Sequence, residues 1–148
     1  RPVNEYECTI ILVTCQKAQI PVTISAGQTN LNGSATPEGG MVLSIERMKT
    51  PDIKVDIKNK TLTSPVGIYL EEMREKTLKH SQNQLYYPVD PTSRREAMVG
   101  GTLSCNASGF IPDRGCPRGG VIFRLPFCPA RSRAAGCRGF SSAMDVLP

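Results

Sequence analysis

Residues 100–112, GGTLSCNASGFIP, constrain the chain more tightly than any other stretch. Val99, Leu103 and Cys105 recur at even spacing, as residues on one face of a strand do, and Ser108-Gly109 then supplies a small-residue turn ahead of Phe110 and Pro112. A strand of this kind needs other strands, and the chain offers several. Residues 8–13, CTIILV, are apolar on both faces and predict a central buried strand. Ile20, Val22 and Ile24 alternate with Pro21, Thr23 and Ser25, where the proline argues for an edge or a bulge. Six residues separate these two runs, enough for a hairpin loop, and Cys15 falls in it. Residues 27–40, rich in Gly, Asn, Ser, Thr and Pro, read as an exposed connection. Residues 41–48 and 53–57 follow as strands, with Thr50-Pro51-Asp52 as the turn between them. In the second, Ile53, Val55 and Ile57 face one way and Lys54, Asp56 and Lys58 the other.

One helix is predicted, over about 66–81. Ser64-Pro65 has the form of a helix start, and Val66, Tyr69, Leu70, Met73 and Thr77 recur near the helical period. Glu71 and Glu72 sit early and Lys76, Lys79 and His80 late, as the helix dipole prefers. Glu72 with Lys76 and Glu75 with Lys79 are spaced to pair along it.

The net charge of +5 is unevenly placed. Residues 1–113 hold 12 basic and 12 acidic side chains, and 114–148 hold six Arg against one Asp. The basic excess therefore belongs to the end of the chain and forms no face interleaved with aromatics, which excludes a nucleic-acid partner. The last 35 residues lack Lys, Asn, Gln, Glu, Thr, His and Tyr, while Arg, Gly, Pro and Ala supply 19 of them. The chain accordingly divides into a β-rich region, 1–113, and an Arg/Gly/Pro/Ala-rich, Cys-containing tail, 114–148, expected to be poorly ordered. The tail reads either as translated non-coding or frame-shifted sequence that cuts a domain short after its second strand, or as a cysteine-rich appendage.

Six cysteines, Cys8, Cys15, Cys105, Cys116, Cys128 and Cys137, are an even number and become disulfide candidates. With no C-x-x-C pair and a single His they make no metal site. Asn32, Asn59 and Asn106 each open an N-x-S/T sequon and are glycosylation candidates. Oxidised cysteines and glycans share a compartment, so the two signals together predict a secreted protein or the extracellular side of a membrane protein. No leader is visible after Arg1, and no apolar run is long enough to span a bilayer, so either a mature or excised ectodomain piece or a soluble fragment of something longer is expected.

Catalytic signatures are missing. No G-x-G-x-x-G, P-loop, H-E-x-x-H or G-x-S-x-G occurs, Gly100-Gly101 precedes a predicted strand instead of a helix, and the one His has no nucleophile pattern beside it. The expectation is a protein that is no enzyme and carries no cofactor.

The pattern L-x-C-x-A-x-G-F-x-P over 103–112 resembles the second strand and turn of an immunoglobulin constant-type domain. Tyr6-Glu7-Cys8 resembles the Y-x-C of that family's later strand, and Ala18-Gln19 with Val22 and Ile24 its closing strand. The resemblance implies a mainly β chain: an antiparallel immunoglobulin-like sandwich with one short helix, truncated if the tail is foreign. It leaves open whether Cys8 and Cys105 bond to each other or lack their mates. The function it implies is protein–protein recognition by an extracellular or cell-surface glycoprotein, as in an immune-type receptor or adhesion molecule, with another protein as partner. Two other readings stand beside it. Cys8, Cys15-Gln16-Lys17 and the strand at 22–24 are similar to the amino-terminal domain of gamete membrane fusogens, and six cysteines would also suit a disulfide-stapled secreted factor or inhibitor.

Overall fold

The computed structural model describes residues 1–105, 107, 122–123 and 142–143. Its first element is a helix, α1, Glu5–Lys17, where a buried strand was expected. The reason lies just upstream of the apolar run. Glu7 N–H donates to the Asn4 side chain at 2.9 Å, and Val3 N–H donates to the Glu7 carboxylate, also at 2.9 Å, so one unpaired donor of the first turn is satisfied and the residue ahead of the cap is tied back to the helix. Glu5 and Glu7 in the first turn and Lys17 in the last complement the dipole. A good cap outweighs the strand preference of Ile10, Ile11 and Val13. The helix turns Cys15 inward, where its thiol donates to Met41 Sδ at 3.6 Å, and leaves Tyr6, Ile10 and Val13 on its outer face.

The strands are short and do not form a sandwich. β1, Val22–Ser25, pairs in parallel with β2, Met41–Ser44, with Val22 opposite Met41 and Ser25 opposite Ser44. β3, Lys54–Asp56, and β4, Thr61–Thr63, form an antiparallel hairpin. Val55 points toward the core and Lys54 and Asp56 away from it, as their alternation predicts. Asn59 closes this hairpin by donating its main-chain N–H and side-chain amide to the Asp56 carboxylate, at 3.0 and 2.7 Å. These two bonds hold the Asp56 carboxyl below its usual range. A third antiparallel pair joins β5, Ile122–Phe123, to β6, Ser142–Ala143.

The predicted helix begins four residues late. α2 runs Leu70–His80, with Glu71 and Glu72 first, Lys79 and His80 last, and Lys76 paired to Glu72 at 2.7 Å. Residues 66–69 form a turn, a bend and a bridge from Tyr69 to Met98 instead, because the main chain here pairs with 97–100: Leu70 N–H to Ala97 O at 2.8 Å, Val99 N–H to Ile68 O at 3.0 Å and Gly100 N–H to Val66 O at 2.9 Å. Leu70, Met73 and Thr77, at helical spacing, are fully buried. They pack into a core built with Ile53, Leu62, Ile68, Leu85, Tyr87, Val89 and Val99.

The stretch expected to be the signature strand is a helix, α3, Val99–Ser104, capped by Cys105. Leu103 leans on the core, and Cys105 is exposed. Glycines favour neither helix nor strand, and close packing decides between them: a Cβ on Gly100 would lie 2.7 Å from Ile45 Cδ1 and 3.0 Å from Val66 Cβ. With a parallel pair, one hairpin, a further antiparallel pair and three helices among the described residues, the fold is α/β, and the antiparallel immunoglobulin-like sandwich is overturned. No helix among the described residues is long and apolar enough to cross a membrane.

Candidate functional site

Between β1 and β2 the chain makes a long excursion, AGQTNLNGSATPEGG, over residues 26–40. From 26 to 37 it contains no charged side chain. Among the described residues one main-chain hydrogen bond ties this loop to itself, Thr36 N–H to Gly33 O at 2.9 Å. Gln28 turns the chain at φ +54°, held by its amide donating to Ser25 Oγ at 3.1 Å, and Gly33 turns it again at φ +68°. Gln28, Asn30, Gly33, Ala35, Thr36 and Pro37 line a depression of about 330 Å³. Its lining residues carry side-chain amides, a hydroxyl and, Pro37 apart, main-chain N–H groups, and none carries a carboxylate to repel an anion. Donors presented by a loop in turn conformation, near the end of a strand, are what phosphate-type anions require.

The loop stands in place because its root is pressed against the rest of the fold. A Cβ on Gly27 would fall 2.2 Å from Glu96 O and 3.1 Å from both Ala97 Cα and Met98 N, so only glycine admits this approach. Gly101 meets Ala26 beside it, where an added Cβ would lie 3.2 Å from Ala26 Cβ. The segment in contact with Gly27 is itself a series of turns: Arg94 N–H bonds Pro91 O, and both Glu96 and Ala97 N–H bond Ser93 O. Thr92, Arg94, Arg95 and Glu96 line a second depression, of about 350 Å³, on this segment.

Four charges join that segment to α2. Asp90 Oδ1 accepts from Arg74 Nη1 at 2.9 Å and from Arg94 Nη1 at 2.7 Å, while Glu71 Oε2 accepts from Arg74 Nη1 at 3.1 Å. Arg94 Nε lies 2.9 Å from the same Glu71 oxygen but is turned away from good hydrogen-bond alignment, which leaves it buried without a partner. Partial burial pulls the Asp90 carboxyl upward, but the hydrogen bond from Arg94 and the two guanidinium charges outweigh it and leave the group below its usual range. Asp90 in turn raises Arg94. Nearby, burial drives the Tyr87 phenol far above its ordinary value.

The residues singled out from sequence are not gathered here. Cys8, half-buried on α1, Cys15, buried on the same helix, and Cys105, exposed after α3, are free thiols in three separate places. Cys116, Cys128 and Cys137 lie outside the described residues, as does Asn106. Asn59 is occupied in its hairpin turn, and His80 is exposed at the end of α2. Asn32 alone lies in the loop. No cluster of three or more His, Cys, Asp or Glu able to hold a metal occurs among the described residues. Sequence reasoning passed over 26–37 as a connection. The signal that marks it is a polar, charge-free loop of this length directly after an apolar strand, since loops that long without structure of their own are commonly functional.

Comparison with known proteins gives this geometry a context. A family model described as an FAD binding domain matches residues 1–115. The D-lactate dehydrogenase of Archaeoglobus fulgidus is 34% identical over 110 residues, which are 74% of this chain and 24% of that protein. The glycolate oxidase subunit GlcD of Bacillus subtilis is 31% identical over 110 residues, 74% of this chain and 23% of that protein. The chain thus spans about a quarter of the length of these relatives. Among solved structures, an alkyldihydroxyacetonephosphate synthase superposes with a TM-score of 0.68 at 24% identity, over 82% of this chain and 24% of that one. The grass pollen allergen Phl p 4, with glucose dehydrogenase activity, superposes with a TM-score of 0.64 at 20% identity, over 76% and 23%. These matches overturn the immunoglobulin resemblance and the recognition function drawn from it, together with the fusogen and secreted-inhibitor readings. The expectation of a chain unrelated to enzymes falls to the same relatives. So does the extracellular placement. Across the span that runs from α1 through α3, this chain belongs to the FAD binding domain family.

Proposed function

We propose that this chain is the dinucleotide-holding part of a flavin-dependent oxidoreductase acting on small 2-hydroxy acids. The loop at 26–37 would receive the pyrophosphate of FAD. The observation that carries the proposal is the loop itself, charge-free, rich in unmatched main-chain donors, and set against the fold at a position where only glycine fits. Such a set of donors suits a dinucleotide, whose phosphates need several N–H groups at close approach and no carboxylate nearby. Main-chain N–H groups of 28–34 would bind the phosphate oxygens, with the hydroxyls of Thr29, Ser34 and Thr36 available beside them. When bound, FAD supplies the two-electron acceptor that no side chain provides. The chain's own work is to fix the dinucleotide and shield its phosphates from water. The substrate class is suggested by the relatives, named for D-lactate and glycolate, both 2-hydroxy acids.

Titrating the purified chain with FAD, followed by quenching of flavin fluorescence, tests the first half of this proposal. One-to-one saturable binding that ADP displaces is expected. A chain that is folded by circular dichroism yet leaves FAD fluorescence unchanged would refute it. Restoring the full-length protein and assaying reduction of its flavin by D-lactate, glycolate and a non-hydroxylated acid tests the second half.

A further inference from the structure

The ring formed by Glu71, Arg74, Asp90 and Arg94 sits apart from the loop, and yet the loop's root rests on the segment that this ring holds. We infer that these four residues are positioning residues for the phosphate loop, fixing the separation between Gly27 and Glu96 on which the shape of the cradle depends; the inference rests on the reading of that loop as a phosphate site. Three features of the structure support it. The segment at 88–97 has no helix or strand of its own, so its place depends on what it is tied to. Its ties to α2 include two main-chain bonds, Glu71 N–H to Arg94 O at 3.0 Å and Leu70 N–H to Ala97 O at 2.8 Å, and the charged ring, which joins Arg94 to Glu71 in the first turn of the helix and Asp90 to Arg74 in the next. Arg94 is two residues from Glu96, whose carbonyl is the atom nearest the missing Cβ of Gly27.

The ring also has the electrostatics of a clamp and not of a ligand site. Two guanidiniums and two carboxylates cancel, and each acid already faces both arginines. The side chains are between 19 and 35% exposed, so the pairs are partly withdrawn from water and are screened less by salt than free surface pairs. An effect of the ring on an anion in the loop is therefore transmitted through geometry. Removing one acid leaves two guanidiniums competing for the other, and the segment bearing Glu96 is released from one end.

The test is ADP binding, measured by calorimetry, in the full chain and in Asp90→Asn. Amide hydrogen exchange is read in both. Wild-type chain is expected to bind ADP, Asp90→Asn to bind it about tenfold more weakly, and exchange to rise at Gly27, Gln28, Ala97 and Met98 while α1 is unchanged. Asp90→Glu, which restores the charge, should recover most of the affinity. If Asp90→Asn does not fold, Arg94→Lys carries the same expectation, because it keeps the charge and loses the fork that reaches both acids. Equal ADP affinity in folded variants overturns the inference. So does exchange that rises equally in α1, which would mean general loosening. A folded wild-type chain that does not bind ADP overturns the reading of the loop, and this inference with it.

Discussion

Replacing Gly27 with alanine puts one methyl group where the structure has none to spare. The new Cβ would stand 2.2 Å from Glu96 O, whereas ordinary contact begins near 3.4 Å, so the carbonyl or the loop root must retreat by more than an ångström. Neither can swing aside as a side chain could. Glu96 is flanked by Ala97, whose N–H bonds Ser93 O and whose carbonyl accepts from Leu70. Overpacking of well-ordered structure costs about 1–3 kcal/mol, and a main-chain obstacle places this case at the upper end. Alanine returns about 0.4–1 kcal/mol by restricting the unfolded chain, and the net loss is about 2 kcal/mol. In a domain of this size that lowers the melting temperature by roughly 10 °C. Thermal unfolding followed by circular dichroism, with and without FAD, checks it. The affinity for FAD should fall at least tenfold, because loop and turn can no longer close to the same separation. Gly39→Ala is the control: it has φ +109° but nothing within 4 Å of the added Cβ, so it should show the backbone cost of about 1 kcal/mol with little change in affinity. A Gly27→Ala chain that melts within about 2 °C of wild type and binds FAD equally well would refute the argument from close approach.

Asn4→Ala removes the side-chain acceptor at the start of α1 and should cost about 1 kcal/mol, visible as a lower urea midpoint with unchanged slope. Met73→Ala, at a position with no exposed surface in the middle of the core, should cost about 2–5 kcal/mol and leave the chain largely unfolded at 37 °C. Asp56 and Asp90 both have carboxyls held below the usual range, so their contribution is fully present above the unfolded value of about 3.9 and is lost as pH falls through the lower folded values. Melting temperature should therefore be steady down to about pH 4 and fall below it, with a shallower fall in Asp90→Asn. Of the three described cysteines, in a thiol-reagent time course resolved by peptide mapping, Cys105 should react first, Cys8 more slowly because burial raises its thiol, and Cys15 only on unfolding.

Where local pattern and tertiary packing agree, the sequence is a faithful guide. The alternation at 53–57 is kept in part, with Val55 on β3 and Ile53 buried just before it while Ile57 is exposed, Val22 and Ile24 lie on β1, and the acidic start and basic end of α2 mark it as a helix. Where they disagree, packing wins. Residues 8–13 look like a strand by composition, but Asn4 and Glu7 build a helix cap just before them, and that cap is also legible in the sequence. Ser64-Pro65 looks like a helix start, yet the next turn is drawn into pairing with 97–100, a contact between segments thirty residues apart that no local pattern reveals. The same holds for α3: its glycines carry no helical preference, and their meaning is the close approach of Ile45, Val66 and Ala26.

The candidate site shows why a stretch of small polar residues reads as a bare connection in the sequence. A loop that presents its main chain to an anion needs residues with little side-chain bulk and no negative charge, which selects Gly, Ser, Thr and Asn. A stretch drawn from those four types will contain N-x-S/T by composition, and Asn32-Gly33-Ser34 lies in such a stretch, with Gly33 in the left-handed conformation its turn requires. Asn59 opens a second sequon for an unrelated reason, since its amide and N–H close the β3–β4 turn on Asp56. Two of the three sequons thus have structural explanations within the fold. Turn chemistry and a loop shaped for close main-chain contact both raise the count of such tripeptides, so that count by itself carries no information about where a chain resides.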